Sequence, residues 1–256
     1  MSENTLIIVE KQQQWLEITL NSPTNFNALS QKMMHELQLA LQQASLNDDL
    51  TCIIIKANGK AFCAGHDLKQ MQANVNSDYY QELFQQCSQL MLSIVECPVP
   101  IIAQVQGVAT AAGCQLVASC DLAIAAEAAR FAVSGINIGL FCSTPAVALS
   151  RNIHPKQAME MLLTGEFISA TKAQSLGLIN RVVAADELTQ ASRDMASLIS
   201  SKAQVAVRTG KAMFYPQLNM ELKQAYELAT EHMVCNLMTE ETQAGLTAFT
   251  SKKTKA

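Results

Sequence analysis

The sequence predicts an α/β protein in which strands and helices alternate over residues 1–190 and helices dominate residues 191–256. Three observations predict it. Short apolar runs with strand character recur between stretches whose apolar residues fall at helical spacing. From about Asp186 onward the strand-like runs stop. And of 256 residues, 49% are hydrophobic and 16% charged, which suits a sizeable buried core and argues against disorder.

Leu6–Glu10 and Trp15–Leu20 alternate as two strands around a polar turn at Lys11–Gln14. Ser22-Pro23-Thr24-Asn25 breaks that pattern. Ser30 has the chemistry of a helix N-cap, and Met33, Leu37, Leu41 and Ala44 then recur on one helical face. Cys52–Lys56 is a short apolar run, read as a buried strand, and Asn58-Gly59-Lys60 turns the chain. In Ala61-Phe62-Cys63-Ala64-Gly65-His66-Asp67-Leu68 the small residues let backbone come close to a partner. A helix is expected from Asp78 to Glu96, stopped by Cys97-Pro98-Val99-Pro100. Ile101–Val105 reads as a strand, Gly107–Gly113 leads into a helix ending near Cys120, and Asp121–Ala125 is a strand again. Helices are expected at Leu188–Ser200, Val205–Phe214, Met220–Leu237 and Thr239–Phe249.

Composition excludes several classes of function. The formal charge of −4 gives no general pull toward nucleic acid or an anionic membrane. Pro100–Val105 is too short, and too interrupted by Gln104, to span a bilayer. No secretory signal is legible, so a cytoplasmic location is expected. The eight cysteines form no C-x-x-C pair; Cys63, Cys114, Cys120 and Cys142 read as small buried hydrophobes. The four histidines are scattered, and no metal site is expected.

Gly107–Gly113 is neither G-x-G-x-x-G nor a P-loop, although a helix that starts there offers free N–H groups and a favourable dipole to negative charge. No G-x-S-x-G elbow is present. Four segments in order and spacing carry a resemblance: Ala61–Leu68, Gly107–Asp121, the stretch from Phe131, and Leu163–Asn180. Together they resemble the enoyl-CoA hydratase/isomerase (crotonase) family over almost the whole chain. Ala109–Asp121 and Gly139–Pro145 are most like its domain-containing 3 type.

The resemblance implies a crotonase-like spiral of strand–strand–helix repeats, with a C-terminal helical trimerisation region and a homotrimer or hexamer. It implies an acyl-CoA thioester as partner, with coenzyme A entering as part of the substrate and no permanently bound cofactor. The family's oxyanion hole maps onto the backbone N–H groups of His66 and Ala112. Two fixed donors there are worth several kcal/mol against the charge of an enolate. The substrate site implied comprises Phe26, Ala28, Lys60, Phe62, Ala64, Asp67, Leu68, Val108 and Ala111, with Phe249 and Lys252 reaching toward adenine or phosphate. Asp67 is read first as the cap of the helix after it. The His66 ring is expected to be a pocket wall.

The family's two catalytic glutamates fall at Gln115 and Gly135, so both carboxylates are missing. A Gln amide does not exchange a proton near neutral pH, and general acid–base groups typically supply ~10²–10⁴ in rate each. Weak or altered hydratase activity is therefore expected from a lyase or isomerase of this family, with replacements such as His66, Asp67 or Ser134. Two other readings remain. A malonyl- or methylmalonyl-CoA-type decarboxylase needs an oxyanion hole but no strong base; its family members also carry Ala-Gly-His-Asp, but with a Tyr near the position of Cys142. A non-catalytic acyl-CoA-binding protein is the third.

Overall fold

The structure, a computed structural model, describes residues 5–252, the last by its backbone alone. β1 (Ile7–Lys11) and β2 (Trp15–Leu20) form an antiparallel hairpin, followed by α1 (Gln31–Ser45). The next turn comprises β3 (Cys52–Ala57), β4 (Ala61–Cys63), α2 (Leu68–Ala73) and α3 (Ser77–Val95). β5 (Ile101–Val105), β6 (Val108–Thr110) and α4 (Ala112–Ser119) make another. A third contains β7 (Leu122–Ala126), β8 (Arg130–Ala132), α5 (Ser143–Leu149) and α6 (Pro155–Thr164). β9 (Ile168–Ser169), α7 (Ala170–Leu176) and β10 (Arg181–Val183) close the core, and α8 (Leu188–Ser200), α9 (Gln204–Gln217), α10 (Leu222–Leu237) and α11 (Glu240–Lys252) follow.

In the turns that begin at β3, β5 and β7 the first strand joins a six-stranded sheet, ordered β1-β2-β3-β5-β7-β10, and the second joins a four-stranded sheet, ordered β4-β6-β8-β9. The chain therefore winds as a spiral between two sheets. The strand period of two explains why the runs of the larger sheet are apolar throughout. Ile53, Ile55, Ile101, Ala103, Ala123 and Ala125 face the main core, while Cys52, Ile54, Ile102, Ile124 and Ala126 face Leu188 and Ala196 of α8. The expected division at residue 190 cuts through α8, which covers the outer face of this sheet.

Local chemistry sets the helix ends. The Ser30 hydroxyl accepts the Met33 N–H at 3.1 Å, and α1 buries Met33, Met34, Leu37, Ala40, Leu41 and Ala44. β6 is an element the sequence reading did not separate, because it is too short to show a period, whereas α2 follows the Asp67 cap as expected. α9 is tied to the core by a buried cluster. Lys211 donates to Asp121 Oδ2 at 2.6 Å and to the carbonyls of Ile94 and Val99, and Tyr215 donates to Asp121 Oδ1 at 2.7 Å. α10 buries no residue; Tyr226, Met233, Val234 and Met238 are exposed in the single chain. Among the described residues no helix is long and apolar enough to cross a membrane.

Candidate active site

β4 and β6 run parallel in the small sheet, with Cys63 beside Ala109, so the two chains leave the sheet at the same edge. There they touch. Gly65 has φ +90°, and a Cβ on it would lie 2.9 Å from Ala111 Cβ and 3.2 Å from the Ala112 nitrogen. Gly113 lies against β4; a Cβ there would sit 2.1 Å from the Cys63 carbonyl oxygen. These glycines bring the turn before α2 against the start of α4.

Ala111 holds φ 50° and ψ −122°, a conformation that suits glycine. It costs about 1–3 kcal/mol. The Ala111 N–H donates to the Ala132 carbonyl at 3.0 Å and its own carbonyl accepts from Gln115 N–H at 3.1 Å, which holds the turn. The result is that the Ala112 N–H opens α4 unpaired. No hydrogen bond among the described residues engages the amide of His66 or of Ala112. Two unpaired donors on touching turns, one at a helix start, are what the developing negative charge of a thioester oxygen requires.

These turns border a cavity of about 290 Å³. It is lined by Ala64, His66, Leu68, Ala111, Ala112 and Gly135, all foreseen in the sequence, by Ser134, read there as a candidate replacement for the missing carboxylates, and by residues not foreseen as site residues. Met71, Phe84, Ile138, Leu140, Phe141 and Pro145 make it largely apolar, and Ser134, Cys142, Ser143 and Thr144 add small polar groups. Among the described residues no Asp or Glu lines it.

Other expected site residues lie elsewhere. Phe62 is fully buried in the main core, because all three residues of β4 are covered on both faces. Gln115 is buried within α4 and does not line the cavity; its Oε1 lies 3.9 Å from Cys87 Sγ. Ala28 is buried and Val108 half-buried, both off the cavity. Phe26 is exposed, and its carbonyl accepts the Ala64 N–H at 3.1 Å, which places it beside the cavity wall. Lys60 is exposed in the β3–β4 turn. Phe249 lies on α11, and the side chain of Lys252 falls outside the described residues.

Asp67 is committed to structure. Its Oδ1 accepts from Lys69 and Gln70 N–H at the start of α2, and its Oδ2 accepts from Asn25 at 2.9 Å. The ring of His66 packs edge-on to Phe84 at 5.4 Å, with both nitrogens shielded and without hydrogen-bond partners. Burial lowers its pKa, with the Leu29 backbone acting in the smaller, opposite sense, so the ring is a neutral wall at pH 7. Gly135 is crowded. A Cβ there would lie 2.5 Å from the Leu140 carbonyl oxygen and 2.7 Å from Cys142 Sγ, and its φ is outside the left-handed region. Space, not backbone angle, bars a side chain at this position.

Sequence reasoning missed Asn27. It is fully buried at φ 53°, donates to the carbonyls of Asn58 and Ala61, and accepts from Ser22 N–H. It fixes the loop whose next residues pair with Gly65. An Asn two residues after Asn25, in a turn, was the available signal.

A model of the enoyl-CoA hydratase/isomerase family matches residues 10–256. The chain belongs to this family. Among its crotonase relatives, the enoyl-CoA hydratase domain-containing protein 3, mitochondrial, of Rattus norvegicus is 46% identical over 252 residues, covering 98% of this chain and 84% of the relative. The human protein of that name is 47% identical over 236 residues, covering 92% and 78%. The crystal structure of human enoyl coenzyme A hydratase domain-containing protein 3 superposes with a TM-score of 0.94 at 45% identity, covering 97% and 98% of the two chains. That of an enoyl-CoA hydratase from Mycobacterium smegmatis gives 0.96 at 49% identity, covering 97% of each. The crotonase fold and the domain-containing 3 type are thereby established. The cytoplasmic expectation is overturned: the rat, mouse and human relatives are named mitochondrial. A cellular address is read from targeting segments, on which the packing of a crotonase core does not depend.

Proposed function

We propose that this crotonase binds an acyl-CoA thioester with its carbonyl oxygen between the amide N–H groups of His66 and Ala112, and that it is a poor hydratase. The single observation that carries this reading is the pair of amides, unpaired among the described residues, on a cavity that no carboxylate of those residues lines. Oxyanion stabilisation is available there; the base that activates water is not. The apolar lining favours an uncharged acyl group. A malonyl-type carboxylate would enter a cavity that, among the described residues, no Lys or Arg lines, at a high desolvation cost.

Coenzyme A enters as part of the substrate, and the exposed Phe26, beside the cavity wall, and the exposed Lys60 are the residues offered to it. The uncovered apolar residues of α10 support a homotrimer or hexamer. The names of the vertebrate relatives favour a mitochondrial setting over a cytoplasmic one.

The test pairs binding with turnover. Crotonyl-CoA and butyryl-CoA should bind with micromolar-range affinity by calorimetry, while crotonyl-CoA hydration runs at least ~10²-fold below that of a two-glutamate hydratase. Hydration at full hydratase rates would sink the reading. So would failure of either thioester to bind.

A further inference from the structure

We propose that the Cys142 thiol is the group that exchanges a proton with the α-carbon of the bound acyl thioester. The inference rests on the acyl-CoA reading above and adds a catalytic residue to it.

The argument is one of position and of elimination. Cys142 Sγ lies 2.7 Å from where the Cβ of residue 135 would be, so the sulfur stands in the space that a side chain at 135 would enter. It lines the same cavity as His66 and Ala112, whose amides hold the thioester oxygen. No Asp, Glu, Lys, Arg or Tyr lines that cavity among the described residues. The His66 ring nitrogens are shielded from it. The hydroxyls of Ser134, Ser143 and Thr144 are far too weakly acidic to ionise, and Ser134 is paired with Thr110 at 2.8 Å. Cys142 alone of these lining groups can both lose and regain a proton in water's accessible range.

Burial raises the Cys142 pKa, and the Gly135 backbone acts against that rise. The thiol therefore stays mostly protonated at pH 7, which suits a proton carrier better than a nucleophile. The step balances simply. The thiolate form removes an α-proton; the C–H bonding pair moves into the enolate, whose negative charge rests on the thioester oxygen under the two amides; the thiol then returns a proton to carbon. In D₂O the thiol exchanges with solvent and returns a deuteron.

The experiment follows deuterium entry into the α-CH₂ of butyryl-CoA in D₂O by mass spectrometry, at saturating ligand, for the wild type, Cys142→Ala and Cys142→Ser. Calorimetry on each protein separates lost exchange from lost binding. The wild type should deuterate butyryl-CoA, about tenfold faster per pH unit below the thiol pKa. Both variants should be at least tenfold slower at saturation. Iodoacetamide labelling of Cys142, located by peptide mapping, should be slowed severalfold by butyryl-CoA. If Cys142→Ala fails to fold, Cys142→Ser, which keeps the side-chain size, carries the comparison. Exchange at the wild-type rate in the folded variants overturns the proposal, as does a wild type that binds butyryl-CoA without exchanging it. A wild type that binds neither butyryl-CoA nor crotonyl-CoA overturns the acyl-CoA reading itself, and the role of the thiol with it.

Discussion

Arg193 of α8 grips Glu17 of β2 with two hydrogen bonds, Nε to Oε1 at 2.7 Å and Nη2 to Oε2 at 3.1 Å. Lys56 of β3 donates to the same carboxylate, whose side chain is only 2% exposed. Burial by itself would raise the pKa of Glu17; the Arg193 and Lys56 interactions outweigh it and hold the group at about 2. A depressed carboxylate stabilises the fold fully above its unfolded pKa near 4.5, and that stability is lost as pH falls toward about 2. Urea unfolding between pH 6 and pH 2 should show stability dropping by on the order of 3 kcal/mol from this group, a drop that Glu17→Gln makes shallower. An unchanged slope in Glu17→Gln would remove the ion cluster from the account.

The cluster at Asp121 predicts a second effect. Lys211→Met removes the cation that Asp121 and two carbonyls share, and leaves the carboxylate to Tyr215 and the Ile101 N–H among the described residues. Breaking one side of such a buried pair costs about 3–5 kcal/mol. Chemical denaturation should register that loss, and the double variant Lys211→Met with Asp121→Asn should recover part of it.

Ala111 predicts a gain. Ala111→Gly removes the Cβ from a residue at φ 50° and ψ −122°, so the relieved strain should exceed the added entropy of the unfolded glycine. The net expectation is a stabilisation of about 1 kcal/mol, read as a rise in Tm. Gly113→Ala should do the opposite, since its Cβ would stand 2.1 Å from the Cys63 carbonyl oxygen. Loss of folded protein or of acyl-CoA binding is the expected outcome for Gly113→Ala, and a wild-type Tm would contradict the close approach of α4 to β4.

Gly135 yields a prediction against rescue. With Leu140 O and Cys142 Sγ within 2.7 Å of the Cβ position, Gly135→Glu forces the Leu140–Cys142 segment away from the cavity. The variant Gln115→Glu with Gly135→Glu should therefore not restore crotonyl-CoA hydration, and overpacking should cost about 1–3 kcal/mol. Recovery of hydratase activity in that variant would mean that the segment yields.

Much of the site was readable because it is made of backbone. Ala61–Leu68 and Gly107–Gly113 are rich in small residues because two turns must touch, and that demand is visible in composition. The larger sheet was legible from apolar runs such as Cys52–Lys56 and Ile101–Val105, since each strand is covered on both faces. β6 was not, because three residues are too few to display a period.

The sequence by itself determined the family, the alternating core and the helical end, since each follows from local order and spacing. Only the tertiary structure decided where the remaining side chains point. Phe62 went to the core, because burial on both faces of β4 leaves it no access to the cavity. Gln115 turned toward Cys87 and does not line the cavity. Cys142, at the start of α5, came to fill the space beside Gly135, which sits in a 3₁₀ turn (Ser134–Ile138), a contact that no local pattern encodes. Such contacts depend on how a chain returns on itself, and packing at near-crystalline density leaves one side chain for each space.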